Sequence, residues 1–294
     1  MFDLFAFDFF LPLQSFFRTE PTFFIITAII LGLLVGSFLN VVIHRLPIMM
    51  EQEWHANCLE LQGQGDSAQT KYTLSTPRSA CPKCKHPISA IENIPLISYL
   101  FLKGKCSSCK TKISLRYPLI EALTGALIGF AAYQFGYSYT TIFAFIFIFA
   151  LIALTFIDFD TQLIPDDITL PLLWLGLLLN INTGFTNLKS AVIGAMLGYF
   201  ILWSVYWLFK LITGKEGMGY GDFKLLAAIG AWFGWQILPA VILLSSVAGA
   251  VIGIGLILFK GKKGGTAIPF GPFLAIGGIA ALFFGPQLAS FYLG

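Results

Sequence analysis

Residues 142–167 read IFAFIFIFALIALTFIDFDTQLIPDD, with no charge in the first sixteen positions and four aspartates in the last ten. The apolar part, with the Tyr-Thr-Thr before it, nears the roughly 20 residues that cross a bilayer as a helix. Segments like it recur along the 294-residue chain, at about 22–43, 118–136, 139–157, 168–182, 189–212, 223–235, 237–259 and 268–292. The fourth and sixth are short for full spans. The chain is 57% hydrophobic and 11% charged, whereas soluble domains carry about 25% charged residues. The expected fold is therefore an all-α polytopic membrane protein of about eight transmembrane helices, with the lipid bilayer as its partner and no nucleic-acid partner.

Between the first and second segments lies the only long polar stretch, residues 44–117, which holds all three histidines and all five cysteines. Alternating the connections between faces places sixteen of the eighteen Lys and Arg on one side, leaving only Arg18 and Lys189 on the other. The side rich in cations is the cytoplasmic one. Residues 1–21 begin MFDLFAFDFF and lack a basic n-region, so they read as an outer-face interfacial segment and not as a signal peptide. The expected division is that segment at 1–21, a first transmembrane helix at 22–43, a cytoplasmic zinc-binding loop domain at 44–117, and a seven-helix membrane domain at 118–294.

Four cysteines form CPKC (Cys81, Cys84) and CSSC (Cys106, Cys109), with positions 85–105 between the pairs. Two such knuckles at this range have the pattern of a zinc ribbon. Four thiolates close a tetrahedral shell with no open position, so the metal is expected to be structural. Two disulfides are the competing reading, and a cytoplasmic location argues against them. His86 then reads as a loop residue, and Cys58 has no obvious partner. The apolar ISAIENIPLISYLFLKGK between the knuckles is too broken to span and is expected to pack on the membrane surface or against the ribbon.

The aspartates carry the chemistry. Asp166 and Asp167 follow Pro165 and open a span, which suits an N-cap and a first-turn acid. Asp158 ends its helix, where the dipole disfavours a carboxylate. Asp222 opens another span in GKEGMGYGDFKLLAAIG (214–230), after glycines at 217, 219 and 221 that suggest a close backbone approach or a positive φ. The stretch from Asp158 to Asp222 is long enough for one trip across the membrane and one back, so the two can meet at one depth. Two carboxyl groups whose surroundings push their proton affinities apart make an acid/base pair. Such a pair activates water against a peptide carbonyl and protonates the leaving amine. A cation or proton transporter using the same aspartates is the competing function.

The motifs IDFDTQLIPD (157–166) and GMGYGDFK (217–224), with GSFLNVVIHRLP (36–47) and the two knuckles, resemble the type IV prepilin peptidases, of the GxGD class of membrane aspartic proteases. The resemblance runs from about residue 32 to residue 285, and neither aspartate motif departs from the family pattern. It implies a bifunctional enzyme of the bacterial inner membrane with its active site on the cytoplasmic side. One activity removes the short basic leader from type IV prepilins and type II secretion pseudopilins. The other N-methylates the new terminal residue with S-adenosylmethionine as donor. The resemblance assigns catalysis to Asp158 and Asp222, associates methyl transfer with the 44–117 loop, and points to Gly104 and Lys105 for the methyl donor. It makes 118–294 the peptidase domain and leaves Asp160, Asp166, Asp167 and Glu216 as candidate acceptors of the basic leader.

Overall fold

The computed structural model describes residues 11–63, 72–260 and 269–293. Residues 1–10 of the expected interfacial segment, and Lys262 and Lys263, lie outside the described residues. Helices dominate: α1 Leu11–Thr19, α2 Pro21–Leu61, α3 Ile97–Phe101, α4 Arg116–Phe135, α5 Tyr139–Thr161, α6 Asp166–Asn180, α7 Leu188–Thr213, α8 Tyr220–Phe233, α9 Leu238–Lys260 and α10 Gly271–Leu293. The chain folds as two compact units, Met1–Phe149 and Ala150–Gly294.

Each of the eight apolar segments coincides with a helix. Among the described residues six helices are long and apolar enough to cross a membrane, those of α2, α4, α5, α7, α9 and α10. With 15 and 14 residues, α6 and α8 are shorter, as their sequences indicated. The first helix differs from expectation. It continues past residue 43 to Leu61, giving 41 residues, or about 60 Å at 1.5 Å per residue. Residues 48–61 are rich in Met, Glu, Gln and Leu, which favour helix without an apolar face, and Pro47 is carried inside it. Hydropathy marks where lipid ends. It does not mark where the helix ends.

Close helix contacts in both units rest on GxxxG spacings, which let helix backbones approach in lipid. In the first unit, a Cβ on Gly32 would stand 2.9 Å from the Cα of Gly125, and one on Gly36 2.9 Å from the Cα of Glu121. These contacts seat α2 on α4. At the opposite end of the pair, Phe17 and Phe24 of α1 and α2 pack on Tyr137, with ring centroids 5.5 and 5.3 Å apart. In the second unit, a Cβ on Gly194 of α7 would collide with the carbonyl of Gly230 in α8. From Phe223 to Trp232 every residue of α8 except Lys224 is buried. A helix apolar on all sides belongs at the centre of its unit, and Asp222 stands in the first turn of this one.

Candidate active site and metal centre

The two knuckles are built alike. In the first, the N–H of Cys81 donates to the carbonyl of His86, Lys85 to Cys81, and Ile88 to Ser79; in the second, Cys106 donates to Thr111, Lys110 to Cys106, and Ile113 to Gly104. Lys85 and Lys110 share φ 59°, so each knuckle turns through one left-handed residue. All four Sγ atoms lie within 4.8 Å of one another, with Cys81–Cys109 at 3.8 Å and Cys84–Cys106 at 4.0 Å. Zinc at about 2.3 Å from each sulfur of a tetrahedron sets S···S edges of about 3.8 Å, so the residues fit that ion. The Thr111 hydroxyl, 3.3 Å from the Cys109 sulfur, and then the Thr111 N–H draw the Cys109 thiol down to about 6, towards the thiolate a metal needs. His86 stands outside the cluster, with its Nε2 3.6 Å from the Glu92 carboxylate. A hydrogen bond from Ser107, then those from the Ser89 N–H and hydroxyl, hold Glu92 at about 2. Cys58 is exposed and outside the cluster.

Of the methyl-donor candidates, Gly104 is buried in the second knuckle with φ +66°, and a Cβ there would lie 2.7 Å from the Tyr99 hydroxyl. Only a residue that tolerates positive φ and lacks a side chain fits. Lys105 beside it is exposed. Three sets of contacts join this module, α2 and α4 to one another. Buried Arg45 donates to the carbonyls of Thr73, Leu74 and Pro77 at 3.0, 3.3 and 2.6 Å. The Asn40 amide donates to the Tyr117 carbonyl at 3.3 Å. The Glu121 carboxylate accepts the Leu96 N–H at 2.9 Å and a hydrogen bond from Ser37. These contacts explain the GSFLNVVIHRLP motif as a docking strip. Glu121 sits in the second turn of α4.

The two aspartates singled out from the sequence come together. Asp158 occupies the last turn of α5 and Asp222 the first turn of α8; they are 4% and 5% exposed. They are near enough for the charge of Asp158 to act on Asp222. Asp158 Oδ2 accepts the N–H of Gly271, the first residue of α10, at 3.0 Å. Ile164 fills the angle between the parts: a Cβ on Gly221 would stand 2.6 Å from its Cβ, and one on Gly271 2.9 Å from its Cδ1. Asp222 Oδ1 is buried without a hydrogen-bond partner. An unsatisfied buried acceptor in a native site calls for a missing water, proton or substrate group.

Local details correct several expectations. Pro165 takes the N-cap position of α6, so Asp166 and Asp167 both stand in its first turn. Asp166 is held by Lys224, 2.7 Å away. Gly219 caps α8 and Asp222 is its third residue, so capping does not account for the carboxylate. None of Gly217, Gly219 and Gly221 has positive φ; Gly217 approaches Phe209 and Gly221 approaches Ile164, while Gly219 has open space. Glu216 pairs with Lys210 at 2.9 Å, and that hydrogen bond holds its carboxyl below the usual range. Lys210 also lies over the rings of Tyr206 and Trp207 at 5.5 and 5.4 Å. Tyr206 in turn packs on Tyr220, two residues before Asp222, so the glycine turn is clamped to the end of α7. Sequence reasoning missed Gly271. Its signal was PFGP (269–272) at the start of a span, where proline and glycine open a helix at the level of the dyad.

Gly271 also gives a direct check on the geometry. A Cβ there would meet Asp158 Oδ2 at 2.6 Å, so Gly271→Ala must move the carboxylate. Displacements of about 1 Å in a reacting group cost on the order of a hundredfold. With catalysis at Asp158 as the resemblance implies, cleavage of a peptide substrate by Gly271→Ala is expected to fall by about that factor in kcat, with KM little changed. Unchanged kcat would show that Asp158 is not held by this contact.

The chain matches the Bacterial Peptidase A24 N-terminal domain over residues 30–135 and the Type IV leader peptidase family over residues 145–254. It is 54% identical over 280 residues to a protein of Stutzerimonas stutzeri named prepilin leader peptidase/N-methyltransferase, covering 95% of this chain and 97% of that one. Relatives of the same name in Pseudomonas aeruginosa (53% identity, 96% of this chain and 98% of the other) and Aeromonas hydrophila (54%, 93% and 95%) align equally fully. No solved structure matches the chain.

Proposed function

Because the chain belongs to the type IV leader peptidase family, we propose that Asp158 and Asp222 are its catalytic pair and that the cytoplasmic face holds them. The protein is a bifunctional, multi-pass membrane enzyme that cleaves prepilin leaders and N-methylates the new terminus. The observation that carries the site assignment is the buried, donorless Asp222 Oδ1 within reach of the charge of Asp158. Two carboxyls so placed cannot both ionise without strong repulsion, so they share one proton. The ionised partner takes a proton from a water whose oxygen attacks the scissile carbonyl carbon. The protonated partner donates to the carbonyl oxygen, and the tetrahedral intermediate collapses with a proton passed to the leaving amine.

Residues 118–294, with α6 and α8 as the two short members of eight crossings, form the peptidase part in this reading. Residues 44–117 serve methyl transfer around a structural zinc held by Cys81, Cys84, Cys106 and Cys109. S-adenosylmethionine supplies an electrophilic methyl group to the free terminal amine. Exposed Lys105 offers a cation for the carboxylate of that donor, and Gly104 shapes the turn that presents it. The transporter alternative finds no support. Glu121, an acid within a spanning helix, lies in the second turn of α4 and is tied to Leu96 and Ser37. Pseudopilins of type II secretion share the substrate chemistry of prepilins. Of the four acids considered for the basic leader, Asp166 and Glu216 already hold lysines, so exposed Asp167 is the best placed.

Purified enzyme in vesicles, given a prepilin and a pseudopilin, should shorten both and methylate both products. Failure on the pseudopilin alone would restrict the substrate class to pilins. For sidedness, a reporter active only outside the cytoplasm should work when fused after Gly294 and stay silent when inserted within residues 60–75. The reverse pattern would put the dyad on the outer face.

A further inference from the structure

The segment between the two knuckles carries apolar side chains that the protein leaves uncovered. In α3, Ile97, Leu100 and Phe101 are spaced i, i+3 and i+4, so they share one face. Leu100 is 73% and Phe101 83% exposed, and Ile91 in the turn before them is 77% exposed. Three such residues together are not the scattered surface apolars of an ordinary domain, and a patch of this kind marks a contact.

The depth of that patch is fixed by hydrogen bonds. Leu96, immediately before α3, donates its N–H to Glu121 at 2.9 Å. Glu121 is the sixth residue of the membrane helix α4, about 8 Å from its start. After α3, Gly104 donates to the Tyr99 carbonyl at 2.9 Å and the Tyr99 hydroxyl reaches the carbonyl of Ile113 at 3.3 Å. The segment is thus pinned to the first turns of α4 at its start and to the second knuckle at its end. The first turns of α4, a helix long and apolar enough to cross a membrane, expose apolar residues too, Leu119 among them. The charge is complementary to an anionic surface: from residue 93 to residue 120 the chain holds five Lys and Arg and no Asp or Glu. Lys103, Lys105, Lys110 and Lys112 among them are exposed.

From these observations we propose that Ile91, Ile97, Leu100 and Phe101 form a wedge that enters the headgroup–acyl boundary of the anionic membrane its own helices cross, and so seats the zinc module on the bilayer. An apolar face with cationic flanks lies in that boundary, with binding that scales with apolar area and lipid charge. The seat keeps the methyl-transfer module at the height where a substrate with a membrane-embedded terminus presents its amine. The wedge depends on the helices spanning the membrane and not on which aspartates cut; its effect on methylation rests on the proposed assignment of methyl transfer to residues 44–117.

The test uses the full-length protein in vesicles containing phosphatidylglycerol. Phe101→Trp and, separately, Leu100→Trp add one tryptophan each, and the difference in emission from the unsubstituted protein reports that position. Lipids brominated near the headgroup end of the acyl chain should quench the added emission, and aqueous acrylamide should not. Zinc content and prepilin cleavage measured on the same vesicles show that each variant is folded. Acrylamide quenching without bromolipid quenching would put the face in water and overturn the proposal. Protection from both quenchers would mean that protein covers it, and protection appearing only on adding a prepilin would make it a substrate-docking face; either result also overturns it. In the functional arm, Phe101→Glu should lower methylation of a pre-cleaved pilin several-fold and leave cleavage unchanged. Equal methylation by the two would remove the role in seating the module. Loss of cleavage by Asp222→Asn is read separately, so a failure of the catalytic assignment cannot be mistaken for a failure of the wedge.

Discussion

Asp222→Asn is expected to lower prepilin cleavage by roughly a thousandfold or more, and Asp158→Asn to do the same, because each removes one of the two proton carriers. Asparagine keeps the size of the side chain, so packing around the buried α8 should survive. The double variant should be scarcely worse than either single one, since groups that act as a unit are strongly non-additive. Asp166→Asn provides the contrast. It breaks only the pair with Lys224, whose side chains are 50% and 30% exposed, and pairs of that kind contribute about 0–1 kcal/mol. Its cleavage rate should stay within a few-fold of normal. Methylation of a pre-cleaved pilin should be intact in Asp222→Asn. Near-normal cleavage by either dyad variant would remove that residue from the chemistry and make exposed Asp160 the next to test.

Removing one sulfur from each knuckle should separate the two activities the other way. Purified protein is expected to carry about one zinc, and Cys81→Ser with Cys106→Ser to carry none, since two thiolates cannot complete the shell. Metal and local folding are coupled in such modules, so the knuckle turns that shape Gly104 should loosen and methylation should be lost. Cleavage should largely persist, because Asp158, Asp222 and Gly271 all lie in the second unit. Elemental analysis of reduced protein and paired assays check both halves. A metal-free native protein with full methylation would refute the zinc reading.

The helices and the meeting of Asp158 with Asp222 were legible for physical reasons. Lipid demands long apolar runs, so the eight segments announced themselves, including the two short ones. Asp158 was conspicuous because a carboxylate at a helix C-terminus works against the dipole, and it is among the buried residues. The knuckles were legible because cysteine pairs at this spacing serve few purposes. Other features were not. The extension of α2 from residue 44 to Leu61 has no apolar signal, since its residues are helix formers without a core to cover. Gly271 was missed because its role belongs to a backbone N–H that only the fold can aim: PFGP announced a helix start there, but not that Asp158 would approach too closely for any side chain. The glycines before Asp222 drew attention for the right motif and partly the wrong cause: steric approach to Ile164 and Phe209 decides two of them, and φ decides none.

The repeated knuckles also change how the chain between them can vary. Cys84 and Cys106 bracket positions 85–105, and one ion would fix both ends of that loop in space. For a flexible loop, doubling the length between fixed ends adds only about 0.6 kcal/mol of closure cost. Insertions or deletions clear of the contacts at Leu96 and Tyr99, as between Ile88 and Pro95, would leave each knuckle's own hydrogen bonds untouched. On the proposed seating, the stretch before Leu96 is where the reach of the module can be reset without rebuilding either knuckle.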